Sequence, residues 1–129
     1  MTQAKKKILI IEDSLDIREV TSHILSSHGY ETMTVGEGEN AIELIAKSHP
    51  DLIICDMFLE DISGLDICHK LKSNSQTASI PLILTTAHES LQNSKNGQAE
   101  KYKPDAYLYK PFEIDDLLDK ISILLNTSP

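Results

Sequence analysis

The sequence predicts an α/β fold in which a five-stranded parallel sheet is wound by helices on both faces. Short apolar runs alternate with amphipathic stretches through the whole chain, the pattern that builds such a sheet with right-handed crossovers. The strongest of those runs are continuously apolar, as central parallel strands covered on both sides require. Each of the strongest also ends in a polar residue or is followed at once by one, so the carboxyl edge of the sheet gathers chemistry. The 129 residues make one domain, enough to bury about two-thirds of the unfolded surface without a disulfide or metal. With 40% hydrophobic and 25% charged residues, neither disorder nor a coiled coil is expected.

The first strand is Lys7–Ile11, a run of Ile and Leu after the lysine. Ser14 is placed to cap a helix whose apolar positions Ile17, Val20 and Ile24 recur at helical spacing and should face the core. Gly29 ends it, where a left-handed residue costs least. Glu31–Val35 reads as the second strand. Asn40–His49 reads as the second helix, with Ala41, Leu44 and Ile45 on one side and Pro50 as its stop. Asp51–Asp56 is a buried strand ending in an acid. Ser63 and Gly64 open a third helix through Leu65, Cys68 and Leu71, followed by a polar loop over residues 73–79. Pro81–Thr86 is a fourth strand, its proline at the tolerated first position, and Ala106–Tyr109 is a short fifth. Residues 90–102 form a weak helix at best, anchored by Leu91, Ala99 and Tyr102 with Gly97 inside it. The last helix is the clearest, with Ile114, Leu117, Leu118, Ile121, Leu124 and Leu125 in one stripe. Residues 1–6 and 127–129 read as flexible ends of a single domain spanning 1–129.

The net charge of −8 disfavours direct nucleic-acid binding, which depends on neutralising phosphates. No apolar run approaches the ~18 residues of a membrane helix, and the stretch after Lys5–Lys7 is too short for a signal peptide. Cys55 and Cys68 lack a Cys-x-x-Cys spacing and read as reduced, buried thiols, fitting a cytoplasmic protein. Of the histidines, none forms a ligand pair at helical spacing; His88 reads as a solvated loop residue.

In parallel α/β sheets, ligands bind outside the carboxyl ends of the strands. At those ends stand Glu12 and Asp13, Asp56, Thr86 and Lys110. Three crowded carboxylates repel one another and stay ionised together only around a cation. Hard carboxylate oxygens suit Mg²⁺, or Mn²⁺, better than zinc. A dication, an ammonium and a hydroxyl together fit a phosphoryl group. Asp56, ending a central strand, is the best carboxylate nucleophile. Each residue alone has a plainer reading. Glu12 and Asp13 suit a helix amino end, Asp56 a turn, Thr85 and Thr86 any strand, and Lys110–Pro111 a turn.

Five motifs occur in order: Glu12–Asp13, the Asp51–Asp56 strand, Ser63–Gly64, the Leu84–Ala87 strand end and Lys110-Pro111-Phe112. In these the chain resembles the receiver domains of bacterial response regulators, the CheY-like group, from Lys7 to Asn126. The resemblance implies the flavodoxin-like strand order 2-1-3-4-5 with five helices; that order is known for the family and is not read from periodicity. It implies that Asp56 is the phosphoacceptor, that Asp13 binds Mg²⁺ directly and Glu12 through water, and that Asp56 and the Phe58 backbone carbonyl complete the protein's ligands. It further implies phosphoryl contacts from Thr86, Ala87 and Lys110, a switch role for Tyr107 and a cis bond before Pro111. The choice of Thr86 over Thr85 rests on the resemblance.

The implied function is a phosphoacceptor in a two-component or phosphorelay system. The donor would be a histidine kinase or a histidine phosphotransfer protein, and the output an unidentified protein target. Output, or a homodimer, would use the face made by residues 90–102, the fifth strand and the last helix. The alternatives are a Mg²⁺-dependent phosphohydrolase with an aspartyl nucleophile, and an amino-terminal receiver cut from a DNA-binding regulator. Glu60 and Asp61 stand where the family commonly has Pro and Gly, which predicts a more acidic and more mobile site rim. Lys103 and Pro104 also depart from the family pattern. Met57 and Phe58 read as packing residues, with Phe58 able to shield an acyl phosphate from water.

Overall fold

The computed structural model describes residues 5–87 and 103–125. The weak helix expected over 90–102, His88 and the chain ends at 1–4 and 126–129 lie outside the described residues. Within them the order is β1 (Lys7–Ile11), α1 (Leu15–Ser27), β2 (Glu31–Val35), α2 (Gly38–Ser48), β3 (Leu52–Asp56), α3 (Gly64–Lys72), β4 (Leu82–Thr86), β5 (Ala106–Tyr109) and α4 (Ile114–Leu125). The five strands pair in parallel in the order β2-β1-β3-β4-β5. Four of the five expected helices are thus seen among the described residues, and the doubly wound fold class holds.

Side-chain alternation along the strands divides the core into two layers. Leu9, Ile11, Ile53, Cys55, Leu82 and Leu84 face one way and pack with Ala41 and Ile45 of α2 and Ile67, Cys68 and Leu71 of α3. Ile8, Ile10, Leu52, Ile54, Ile83 and Leu108 face the other way, against Leu25 of α1 and Leu117 and Ile121 of α4. Each Leu or Ile among them contributes roughly 1.5–3 kcal/mol when fully buried. β1, β3 and β4 are the most completely buried strands among the described residues, and their carboxyl ends are held with them.

Three local expectations need correction. α1 does not bury the stripe read from its spacing: Ile17 and Val20 are 45% and 59% exposed, and Leu25 is its buried anchor. The periodicity was real but marks a surface face, since the helix also carries hydroxyls toward β2, where the Ser22 and Thr32 side chains bond at 2.7 Å. α2 begins at Gly38, two residues before Asn40, because its first N–H groups find acceptors outside the helix. It ends at Ser48, with His49 left-handed at φ 48°. Phe58 is not a packing residue, being 54% exposed, whereas Met57 is buried.

Both cysteines are free and buried. Burial pushes the Cys68 thiol up to about 11 and raises Cys55 well above its ordinary range. Neither is a thiolate at neutral pH, so both act as packing residues. The start of β5 is tied down by a pair that the sequence did not reveal. The mostly buried Lys72 ammonium donates to the carbonyls of Ala78 and Ile80 and to Asp105 Oδ2 at 2.6 Å. Asp105 accepts in turn from the Leu82 N–H.

At the amino end of α3, Ser63 Oγ accepts from the Asp66 N–H, the cap expected of a serine there. Gly64 follows where the chain crosses the end of β3. A Cβ at Gly64 would lie 2.5 Å from the Asp56 carbonyl oxygen and 2.9 Å from Met57 Cα, and neither backbone atom can yield cheaply. Gly64→Ala should cost roughly 1–3 kcal/mol in denaturant unfolding, the usual range for overpacking. A neutral result would show that β3 and α3 separate more easily than their contacts indicate.

Candidate functional site

The sheet places the sequence-derived residues together. Glu12 and Asp13 follow β1, Asp56 ends β3, Thr86 ends β4 and Lys110 follows β5. β1 and β3 are hydrogen-bonded neighbours, with Ile11 beside Cys55, so the acids after them converge. One carboxylate oxygen from each of Glu12, Asp13 and Asp56 lies within 4.8 Å of the others. Glu12 and Asp56 are nearly buried, at 5% and 9% exposure.

Lys110 reaches this group from the far strand. Its Nζ lies 3.3 Å from Glu12 Oε1 and 3.5 Å from Asp56 Oδ1. Its backbone N–H donates to the Thr86 carbonyl at 2.8 Å, so the lysine is carried by the same sheet edge as the threonine. The Lys110–Pro111 peptide bond is cis. Thr86 is buried at the end of β4 and Ala87 is exposed in the bend after it. Tyr107 sits one strand out, its ring stacked on Tyr109 at 6.3 Å between centroids and 4° between planes.

The loop entering α1 is held in place as well. The Ser14 N–H donates to Glu12 Oε2 at 3.1 Å, and Arg18 Nη1 donates to the Glu12 carbonyl at 2.9 Å. Arg18 is a residue sequence reasoning missed, because its acceptor is a main-chain carbonyl six positions back that no spacing rule points to.

The electrostatics follow from this crowding. Burial raises the Glu12 carboxyl above its ordinary range; the Ser14 N–H and the Lys110 ammonium pull it back, and Asp56 pushes it up again. Burial likewise raises Asp56, against the pull of Lys110 and of the Phe58 N–H, and Asp13 adds to the rise. The Lys110 ammonium therefore does not offset the burial of Glu12 and Asp56. A raised carboxyl opposes folding while it is charged, so the penalty stands above the folded-state pKa. It disappears as pH falls below the unfolded-state value. The donor set is all oxygen and rich in charge, which fits a hard dication and not a thiophilic one. Among the described residues no other group of three potential ligands gathers this way.

The rim after Asp56 differs from the mobile loop expected of Glu60 and Asp61. Asp61 Oδ1 and Oδ2 accept from the Gly38 and Glu39 N–H groups at 3.0 and 3.1 Å. Those two bonds hold its carboxyl below the usual range. They also explain the early start of α2, whose N-cap residue Glu37 makes no side-chain cap.

Comparison with known proteins agrees with this arrangement. The response regulator receiver domain family matches residues 8–122. The chain is 32% identical over 124 residues to the response regulator MprA of Mycobacterium sp. (strain KMS), covering 95% of this chain and 52% of that protein. The chain spans about half the length of the curated relatives it matches. The chemotaxis response regulator CheY4 of Vibrio cholerae superposes with a TM-score of 0.83 at 27% identity, over 94% of this chain and 99% of that one. The receiver domain of a signal transduction histidine kinase from Syntrophus aciditrophicus gives 0.84 at 30% identity, over 94% and 90%. A sheet of this order, an acidic cluster at its carboxyl edge and a family match over nearly the whole chain lead to one conclusion: this chain belongs to the response regulator receiver domains, the CheY-like signalling modules of two-component systems.

Proposed function

We propose that Asp56 accepts a phosphoryl group from a phosphohistidine on a histidine kinase or phosphotransfer protein, and that the adduct sets the conformation read by a protein partner. The observation that carries this reading is the bridging of Glu12 and Asp56 by the Lys110 ammonium inside a cluster of three acids. Glu12, Asp13, Asp56 and the Phe58 carbonyl would hold Mg²⁺, with Mn²⁺ as a substitute. Such an ion supplies charge neutralisation for the carboxylates and the incoming phosphoryl oxygens.

In the transfer, an Asp56 carboxylate oxygen attacks phosphorus as the P–N bond to the donor imidazole breaks, and the donor histidine leaves with the bonding pair. Asp56 is fixed for this step by its place in β3. Lys110 is already within reach of the attacking carboxylate and can follow the phosphoryl oxygens instead. Thr86, on the strand end beside Lys110, supplies a hydroxyl donor. Its departure toward the phosphoryl group would open space for Tyr107, whose ring must then leave Tyr109. The output face includes β5 and α4; its remaining part, over residues 90–102, lies outside the described residues. Beside the site mouth, Ile17, Val20 and Ile24 of α1 form an apolar groove with Phe112 and Ile114, about 310 Å³ in volume. Its lining includes Asp16, in the first turn of the helix that follows Asp13, and Phe112, on the segment that follows Lys110, so a protein donor reaching Asp56 would rest there.

We read the domain as a phosphoacceptor and not as a phosphohydrolase. Two positions after Asp56 the chain carries Phe58, an exposed ring that can cover an acyl phosphate, and not a second acid. No helix among the described residues is long and apolar enough to cross a membrane, and the two free thiols favour the cytoplasm.

Incubation with a small acyl-phosphate donor and Mg²⁺ should add the mass of one phosphoryl group to the wild-type chain and none to Asp56→Asn. Equal labelling of both would remove Asp56 from this role. Without divalent ions at neutral pH, Asp56→Asn should be the more stable protein by on the order of 1 kcal/mol. That corresponds to roughly 2–6 °C in melting temperature. The advantage should shrink as pH falls through the raised carboxyl of folded Asp56 and be gone below the ordinary carboxylate value, where wild-type Asp56 is uncharged in both states. Millimolar Mg²⁺ should narrow the gap by stabilising wild type. A wild-type melting temperature indifferent to Mg²⁺ would contradict the assignment of the cluster.

A further inference from the structure

The site loop between β3 and α3 is closed at its base. Phe58 and Ser63 pair as an antiparallel bridge, and the Gly64 N–H donates to the Met57 carbonyl at 2.7 Å. Its tip is held by something else. Leu59 and Ile62 lie against Gly38, where a Cβ would collide with Ile62 and come within 3.3 Å of Leu59. Between these two contacts, Asp61 accepts from the first two N–H groups of α2. A carboxylate from more than twenty residues away thus takes the place of the missing local cap, at the helix end where negative charge is favoured.

We infer that Asp61 is a positioning residue for the cation-binding half of the site: it moors the loop that carries the Phe58 carbonyl to the amino end of α2. This rests on the reading of the acidic cluster as a Mg²⁺ site. The physical reason is the cost of order. A main-chain carbonyl serves as a ligand only when its peptide is fixed, and fixing a free backbone residue costs conformational entropy. Where Asp61 and the Gly38 seat have already fixed the loop, binding the ion need not do so. Asp61 touches none of the three clustered acids in the hydrogen bonds it makes, so its effect runs through the loop.

The test separates mooring from simple helix capping. Asp61→Ala removes both. Adding Glu37→Ser restores a local cap to α2, since Glu37 already has the extended N-cap backbone that serine favours, yet it cannot hold the loop. In the full chain, Mg²⁺ affinity is measured by calorimetry, loop order by amide hydrogen exchange over residues 58–62, and stability by thermal melting. Asp61→Ala should raise the Mg²⁺ dissociation constant three- to tenfold, speed exchange in the loop and lower the melting temperature. The Glu37→Ser/Asp61→Ala double variant should recover the melting temperature while the dissociation constant and loop exchange stay raised. An unchanged dissociation constant in Asp61→Ala overturns the inference, as does its return to the wild-type value in the double variant. Should wild type itself bind no Mg²⁺, the reading of the cluster falls and this inference with it.

Discussion

Three carboxylates share one edge of a parallel sheet with a single ammonium, and the rest of the structure answers to that imbalance. Left to themselves, Glu12, Asp13 and Asp56 would move apart. They stay together because β1 and β3 are central strands whose apolar side chains are buried on both faces. Separating the acids would mean breaking the sheet. The raised carboxyl groups of Glu12 and Asp56 record first the cost of burying them, to which the neighbouring acids add a smaller push. Stability is given up locally so that a site poised for positive charge persists in the folded protein.

The remaining parts of the site are held by elements of decreasing rigidity. Lys110 enters from β5, an edge strand, tied by its N–H to Thr86 and by its side chain to the two acids. The loop after Asp56 has no strand or helix of its own and leans on α2 through Asp61 and Gly38. The arrangement grades from a nucleophile held by the buried sheet to surroundings held by a few hydrogen bonds and contacts. Tyr107 and Tyr109 stack on one another along the edge strand, with Tyr107 packed against the core.

Much of this was legible in the sequence, and for a definite reason. Continuous runs such as Lys7–Ile11 and Leu52–Asp56 carry their burial in their composition, and strand ends in such a sheet must meet at one edge. The polar residues that follow could therefore be placed together before any coordinates. What could not be read depended on partners distant in the chain. α2 starts at Gly38 because Asp61 accepts its N–H groups. Arg18 is fixed by a carbonyl of the site loop, and Lys72 meets Asp105 across the start of β5. The apolar spacing of Ile17 and Val20 was visible, but periodicity reports a face and not what covers it; the structure turns that face outward, next to Phe112.

In our reading the acids of this edge share one dication. Paramagnetic Mn²⁺ titrated into the isotopically labelled full chain would reveal it. Amide signals of Asp13, of Asp56 through Phe58 and of Lys110 should broaden first, at substoichiometric ion, and excess Mg²⁺ should restore them. Broadening that begins instead on the exposed acids of α2 or α4, or that spreads evenly over the surface, would contradict the account.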